Sequence, residues 1–257
     1  MTFSVNVASM GRMPMPAPEV FWMTGWEQWF DGTFWMVLAR SAEHTILVNT
    51  GPPADLSALN AGWAQFHPSG RVQYTRDKDE QVEAVLERFG VKPEAVTHVI
   101  LTPTVIYTLG GLHLFPNAEI VLSRRGWIED VMAPPHLHHL PREVFVPDDI
   151  LRFLLFEARG RVRLVGDEQI VPGCSVWQSL VHHRSSLAVS FDTAAGMVVA
   201  TDSAFAYKNV EDNIALGIGE SYAEAMATYA RLRREADLLL PLYDSAVAER
   251  HPGGVVA

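Results

Sequence analysis

Three runs of this chain carry residue types from which chemistry is commonly built. Residues 182–186 read His-His-Arg-Ser-Ser, with Asp202 further along; residues 136–139 read His-Leu-His-His; and Cys174 is the single cysteine. A catalytic zinc takes about three protein ligands and a water. The 136–139 run has ligand-like spacing, but Pro134, Pro135 and Pro141 flank it and mark a surface loop. A serine hydroxyl becomes a nucleophile only beside a base. Ser185 or Ser186 with His182 and Asp202 would supply serine, histidine and acid, although neighbours on one strand and loop rarely point at one another. Arg184 offers a positive fork for an anionic group, or a partner for a surface acid. Cys174 needs a nearby base to react and otherwise reads as a small buried apolar residue.

The elements that must position these residues are legible from the hydrophobic pattern. FWMVLARS (34–41) and HTILVNTG (44–51) read as consecutive strands. Residues 79–90 predict a helix with Val82, Val85, Leu86 and Phe89 on one face and Gly90 to end it. THVILT (97–102), AEIVLS (118–123), RVRLVG (161–166) and CSVWQSL (174–180) read as strands. So do LAVSFDT (187–193) and GMVVATD (196–202), with the turn at Ala194–Gly196 between them. Residues 220–236 predict a second helix, with Tyr222, Ala225, Met226 and Tyr229 on its apolar face, and DLLLPLYD (237–244) a last strand. Residues 133–150, rich in proline and histidine, read as a loop. Strands clustering in two halves with helices among them fit an α/β layered sandwich. No linker or repeat divides the chain, so 1–257 is taken as one domain.

Composition narrows the function classes. A net charge of −10 argues against general nucleic-acid binding, which needs Lys and Arg to neutralise phosphate. No apolar run approaches the roughly 20 residues that span a bilayer, and the first residues lack the apolar core of a signal peptide. One cysteine excludes an intrachain disulfide and suits a reducing compartment. The expectation is therefore a cytoplasmic protein with neither nucleic-acid nor membrane partners.

Residues 97–127 read THVILTPTVIYTLGGLHLFPNAEIVLSRRGW. A strand ends at Leu101 and Thr102, a loop follows, then the pair Gly110 and Gly111, then LFPNAEI. This frame resembles the metal-binding loop of the metallo-β-lactamase superfamily, in particular its N-acyl-homoserine-lactonase-like branch. There the strand leads into His-x-His-x-Asp-His and a Gly pair. Laid on that frame, the four metal-site positions hold Pro103, Val105, Tyr107 and Thr108. Residues 44–51 resemble the family's early strand and turn, with Asn49 where an acid usually stands. Residues 182–202 resemble its third motif, which places His182 at a ligand position and Asp202 at the bridging carboxylate. LLLPLYDSAV (238–247) is similar to the segment that brings the last histidine, and Tyr243 stands there.

The resemblance implies a four-layer αβ/βα sandwich of the metallo-β-lactamase type. It also implies a metal site stripped of most ligands, so that no metal and no cofactor is expected. Extra ligands could come from His183, Asp244 or the cluster His136, His138 and His139. Val105 and the rigid Pro103 predict a smaller, drier cavity. Two functions follow. In the first, the chain is a non-catalytic, structural or pocket-completing subunit, in a homo-oligomer or in a hetero-oligomer with an intact metal-bearing paralogue. In the second, it is a metal-independent hydrolase of a small ester, lactone or aryl ether. Tyr107, His182 and Tyr243 would then be catalytic, and His183, Arg184 and Asp202 would line the substrate pocket. Simple binding of a small-molecule ligand is a third reading. The aromatic run from Phe21 to Trp35 reads as core or as subunit interface, and RHPGG (250–254) as a turn or tail docking on a neighbour.

Overall fold

A computed structural model describes residues 1–67, 69–133 and 145–257. The cluster His136, His138 and His139 lies outside the described residues. Two sheets face one another. The first holds six strands in the order β1-β2-β3-β4-β5-β6: Ser4–Pro16, Trp29–Arg40, Thr45–Val48, His98–Ile100, Glu119–Ser123 and Val162–Val165. The pairings β1–β2 and β2–β3 are antiparallel, and those from β3 to β6 are parallel. The second sheet has the order β11-β10-β9-β8-β7: Leu238–Pro241, Gly196–Thr201, Leu187–Thr193, Cys174–Gln178 and Glu168–Val171. Helices cover the outer faces, completing a four-layer αβ/βα sandwich.

Burial explains why these segments are strands. Phe34, Trp35, Met36, Val37, Leu38 and Ala39 are all buried, so β2 is covered on both faces. Ile46, Leu47, Val48, Val99 and Ile100 are wholly buried, as the parallel strands of a covered sheet should be. β1 shows the other pattern, with Val5, Val7, Met10, Met13 and Met15 inward. Its alternation breaks where the register shifts between Ser9 and Arg12. Gly11 sits in that bulge at φ 134°, and a Cβ there would come within 2.4 Å of the Tyr74 ring. The sequence pattern missed β1 because the bulge interrupts its period of two.

Several expectations are corrected. The helix expected over 79–90 is Val82–Arg88; Lys78–Glu80 form a separate turn, and Gln81 between them is extended. The cause is Glu80, whose carboxylate accepts from Ser9 Oγ at 2.6 Å and from the Asp77 N–H at 2.8 Å. The second helix is Tyr222–Glu235, capped by Ser221, but it buries Ala225, Thr228, Tyr229 and Leu232. Tyr222 is exposed and meets the exposed Trp22 ring, 6.2 Å between centroids. The aromatic run divides: Phe34 and Trp35 are core, whereas Trp22 and Trp26 are exposed. The tail after Arg250 docks on this chain's own β1, through the Val256 N–H to the Val5 carbonyl at 2.9 Å and a bridge between Asn6 and Val255. Among the described residues, no helix is long and apolar enough to cross a membrane.

Candidate functional site

The chemistry-bearing residues gather where strands of both sheets end. β3 runs into Asn49, β4 into residues 101–109, β8 into 179–186, β10 into Asp202 and β11 into Tyr243. Asn49 fastens two of these ends together. It holds a left-handed backbone, φ 66°, and its side-chain amide pairs with the Thr102 backbone in both directions, each bond 2.9 Å. Thr102 is joined to Pro103 by a cis peptide bond. Thr108 turns its hydroxyl back onto its own loop, toward the carbonyls of Pro103 at 2.7 Å and Val105 at 2.8 Å. The close approach of Gly110 to Pro52 and Pro53 locks the loop from the other side.

Asp202 is fully buried, and its carboxylate is filled by protein donors. Thr102 Oγ1 donates to Oδ1; Ser186 Oγ donates to Oδ2 at 2.6 Å; His182 Nδ1 lies 3.2 Å from Oδ2. Burial pushes Asp202 up to about 6, with the Ser186 and Thr102 hydroxyls opposing, and pushes His182 down to about 3. At neutral pH the pair is therefore a carboxylate and a neutral imidazole. The contact is a hydrogen bond from Nδ1–H rather than an ion pair, and Nε2 keeps its lone pair. Ser186 gives its proton to the acid and not to the histidine. Ser185, also fully buried, accepts from the Thr104 N–H at 3.1 Å. The serine–histidine–acid reading thus fails on geometry: the serines bond to the wrong members.

Above Asp202 stands a box of rings. His182 packs edge-on to Phe205 at 4.6 Å, Phe205 to Tyr243 at 4.7 Å, and Tyr243 against Phe34 at 4.8 Å. Tyr107 lies 5.4 Å from Phe34 and 6.5 Å from Trp63. These rings, with Met13, Met15, Glu19 and Ile218, line a cleft of about 20 Å³, room for about one water. An ordinary small-molecule pocket holds roughly 300–1,000 Å³. Burial raises both phenols, so Tyr107 and Tyr243 are neutral hydroxyls rather than phenolates. The two hydroxyls face one another, and their mutual hydrogen bond is among the influences on both phenols.

Of the residues expected from the sequence, Tyr107, His182 and Tyr243 meet at this cleft, and Asp202 lies beneath it. His183 stacks its ring 4.0 Å from His182 and meets Phe145 behind it. Arg184 is placed elsewhere. Its guanidinium sits among Glu224 at 2.8 Å, Glu220 at 3.6 Å and Glu129 at 3.8 Å, so its charge is already matched. Asp244 caps a turn, accepting from the backbone N–H groups of Tyr207 and Ala246. Cys174 is buried and its thiol is pushed up to about 12, which leaves it inert at neutral pH.

Two cleft residues with polar groups escaped sequence reading, as did the apolar Met13, Met15, Phe205 and Ile218. Glu19 belongs to the short helix Ala17–Val20; burial pushes its carboxyl up to about 7, and its Oε1 lies 3.4 Å from His67 Nε2. Trp63 comes from the helix Ser57–Phe66, and its buried indole N–H has no hydrogen-bond partner among the described residues. The one available signal was Glu19 itself, a lone acid inside the apolar stretch PAPEVFW.

Among the described residues, the donors present do not fit a hydrolytic metal pair. Among the described residues no group of three or more His, Cys, Asp and Glu converges, and His182 and Asp202 are bonded to one another. Hydroxyl protons of Thr102 and Ser186 already occupy the carboxylate oxygens that a cation would need.

No family model matches the chain. An N-acyl homoserine lactonase of Bacillus cereus is 23% identical over 182 residues, 70% of this chain and 67% of that protein. The structure of an N-acyl homoserine lactone hydrolase, with N-hexanoyl-L-homoserine at its catalytic metal centre, superposes with a TM-score of 0.78. It is 19% identical and covers 97% of each chain. A hydrolase of the beta-lactamase superfamily gives a TM-score of 0.66 at 15% identity, covering 93% of this chain and 89% of its own. The chain therefore has the metallo-β-lactamase fold. Its likeness falls in the N-acyl-homoserine-lactonase-like branch of that fold.

Proposed function

We propose that this chain is a non-catalytic relative of the metallo-hydrolases, in which the former metal site has become a packed polar and aromatic core. Pro103, Val105, Tyr107, Thr108 and Tyr243 stand at positions where the lactonase-like frame carries ligands. The observation that carries the reading is Asp202, a fully buried carboxylate whose oxygens are taken by Thr102, Ser186 and His182. Three of the roughly four acceptor positions of this carboxylate are taken by protein donors, which opposes its bridging two cations, and a cleft of about 20 Å³ does not admit an acyl-homoserine lactone. Its role is then structural or pocket-completing, within a homo-oligomer or beside an intact, metal-bearing paralogue. Two measurements test this. Elemental analysis after chelator-free purification should find no stoichiometric zinc, iron or manganese; about two metals per chain overturns the reading. Light scattering, alone and with the paralogue, should give a mass above the 28.5 kDa of one chain. A mass of one chain in both cases removes the subunit role.

One observation favours a second reading, a metal-independent hydrolase of a small ester, lactone or aryl ether. Tyr107, Tyr243 and His182 line one cleft, and Glu19 adds a carboxyl poised near neutrality. On a panel of such substrates in excess chelator, Tyr107→Phe and His182→Ala would each lower turnover by about 10²–10⁴-fold, the usual worth of a general acid or base. Activity untouched by both substitutions would remove this assignment.

A further inference from the structure

We infer that the surface formed by Trp22, Met23, Trp26, Ile218 and Tyr222 is the face through which two copies of this chain pair. The inference rests on the subunit role proposed above and names both the partner and the face.

The starting observation is a loop that exposes what loops seldom expose. Residues 21–28 join the short helix Ala17–Val20 to β2, and Trp22, Met23 and Trp26 all stand in solvent. Met23 also holds a left-handed backbone, φ 57°, which costs a non-glycine residue energy. A second segment lies alongside. The Trp22 N–H donates to the Ala215 carbonyl at 2.9 Å, the Ile218 N–H donates to the Glu19 carbonyl at 3.1 Å, and the Trp22 and Tyr222 rings meet. The five side chains are between 41% and 68% exposed. At about 200 Å² for a large side chain, they leave on the order of 500 Å² in solvent. That is toward the upper end of what a monomer exposes as one patch. A specific interface buries about 800 Å² per partner, so this patch with a rim of polar neighbours is the right size for one. Its Trp, Tyr and Met are also the residues that interfaces favour.

The rim decides the partner. Lys208 stands over the Phe21 ring, 5.5 Å from its centroid, and Arg71 stands over Trp29 at 3.9 Å. Among the described residues neither cation has a carboxylate within ion-pair distance. The chain has 30 acids against 20 Lys and Arg, so two cations left without an acid call for one from outside. Glu27 is exposed beside Trp26 and is unpaired among the described residues as well. A two-fold contact uses such a set, because its rotation turns the acid of one copy toward the bases of the other. A lipid surface fits less well, since Glu27 sits at the patch and a net charge of −10 is repelled by an anionic leaflet. Ile218 lines the aromatic cleft too, so a docked copy covers the mouth of that cleft.

Sedimentation equilibrium of the wild-type chain at micromolar concentration is the test. The expected mass is twice the 28.5 kDa of one chain. Trp22→Ser and Trp26→Ser should each weaken pairing by about thirtyfold or more, the worth of a tryptophan at the centre of an interface. Glu27→Lys, which leaves only cations on the rim, should weaken it by about threefold or more. Phe156→Ser, which removes an exposed ring from a separate segment, should pair as wild type does. Circular dichroism checks that each variant is folded. A single-chain mass for the wild type overturns the inference; if that mass then rises with the paralogue, the subunit role stands and only this face is lost. Pairing unchanged in both tryptophan variants, or abolished by Phe156→Ser, also overturns it. Flotation with vesicles of phosphatidylcholine and phosphatidylserine should leave the protein unbound, and a chain that floats as a monomer would assign the patch to lipid instead.

Discussion

Replacing Asp202 by asparagine should change how the fold responds to acid, and the sign follows from two opposed shifts. His182 falls from an ordinary 6.5 to about 3 in the folded chain. Its contribution to stability is present above 6.5 and is lost as pH falls toward 3, because the unfolded chain takes up a proton that the folded one refuses. Asp202 rises from 3.8 to about 6. Its contribution is present below 3.8 and is lost as pH rises through 6, because the folded chain keeps a proton that the unfolded one has released. Between about pH 4 and 6 the pair holds one proton in each state, on the aspartate when folded and on the histidine when unfolded. The two slopes cancel, and the pair makes stability flat in that window. Asparagine removes the aspartate limb and leaves the histidine limb. The variant should then lose about 1.4 kcal/mol per pH unit more than wild type, or about 3 kcal/mol from pH 6 to pH 4. Urea unfolding of both proteins at pH 6, 5 and 4 measures the difference, and titrations shared by the two, such as Glu19, drop out. Parallel stability profiles would refute the proton assignment, and with it the neutral histidine beside Asp202.

Three further outcomes are expected. Gly110→Ala should destabilise the chain by more than about 3 kcal/mol, since its Cβ would come within 2.2 Å of the Pro53 nitrogen and 2.3 Å of the Pro52 carbonyl carbon, backbone atoms that cannot swing aside; chemical denaturation checks it. Phe34→Ala, at the centre of the ring box, should cost about 3–5 kcal/mol by denaturation; a loss under about 1 kcal/mol would mean the box is not packed as described. Glu19→Gln should raise the melting temperature relative to wild type, and by more at pH 8 than at pH 6. The raised carboxyl contributes stability below its ordinary value and loses it as pH rises through about 7; an offset that does not grow between those pH values contradicts its burial.

The sequence by itself determined most of the sheet framework. Strands such as β3, β4, β9 and β10 are short apolar or β-branched runs, and burial on one or both faces leaves such runs few alternatives. It also put Pro103, Val105, Tyr107 and Thr108, none of them a good zinc ligand, on the frame of a metal-binding loop. It brought Tyr107, His182 and Tyr243 to one place because the order of segments implied a known architecture. It did not show β1, whose alternation is broken by the bulge at Gly11, nor that Arg184 is drawn away by three glutamates. Least of all did it show Glu19 and Trp63, or Thr102 and Ser186 closing on Asp202. Thr102 and Leu187 bond across 85 positions of chain, and Thr102 reaches Asp202 across 100. Local pattern fixes which face of a strand is apolar, because that is settled by neighbours two residues away. Which hydroxyl fills which carboxylate depends on how the ends of separate strands meet, and only the packed sandwich brings those ends within hydrogen-bonding distance.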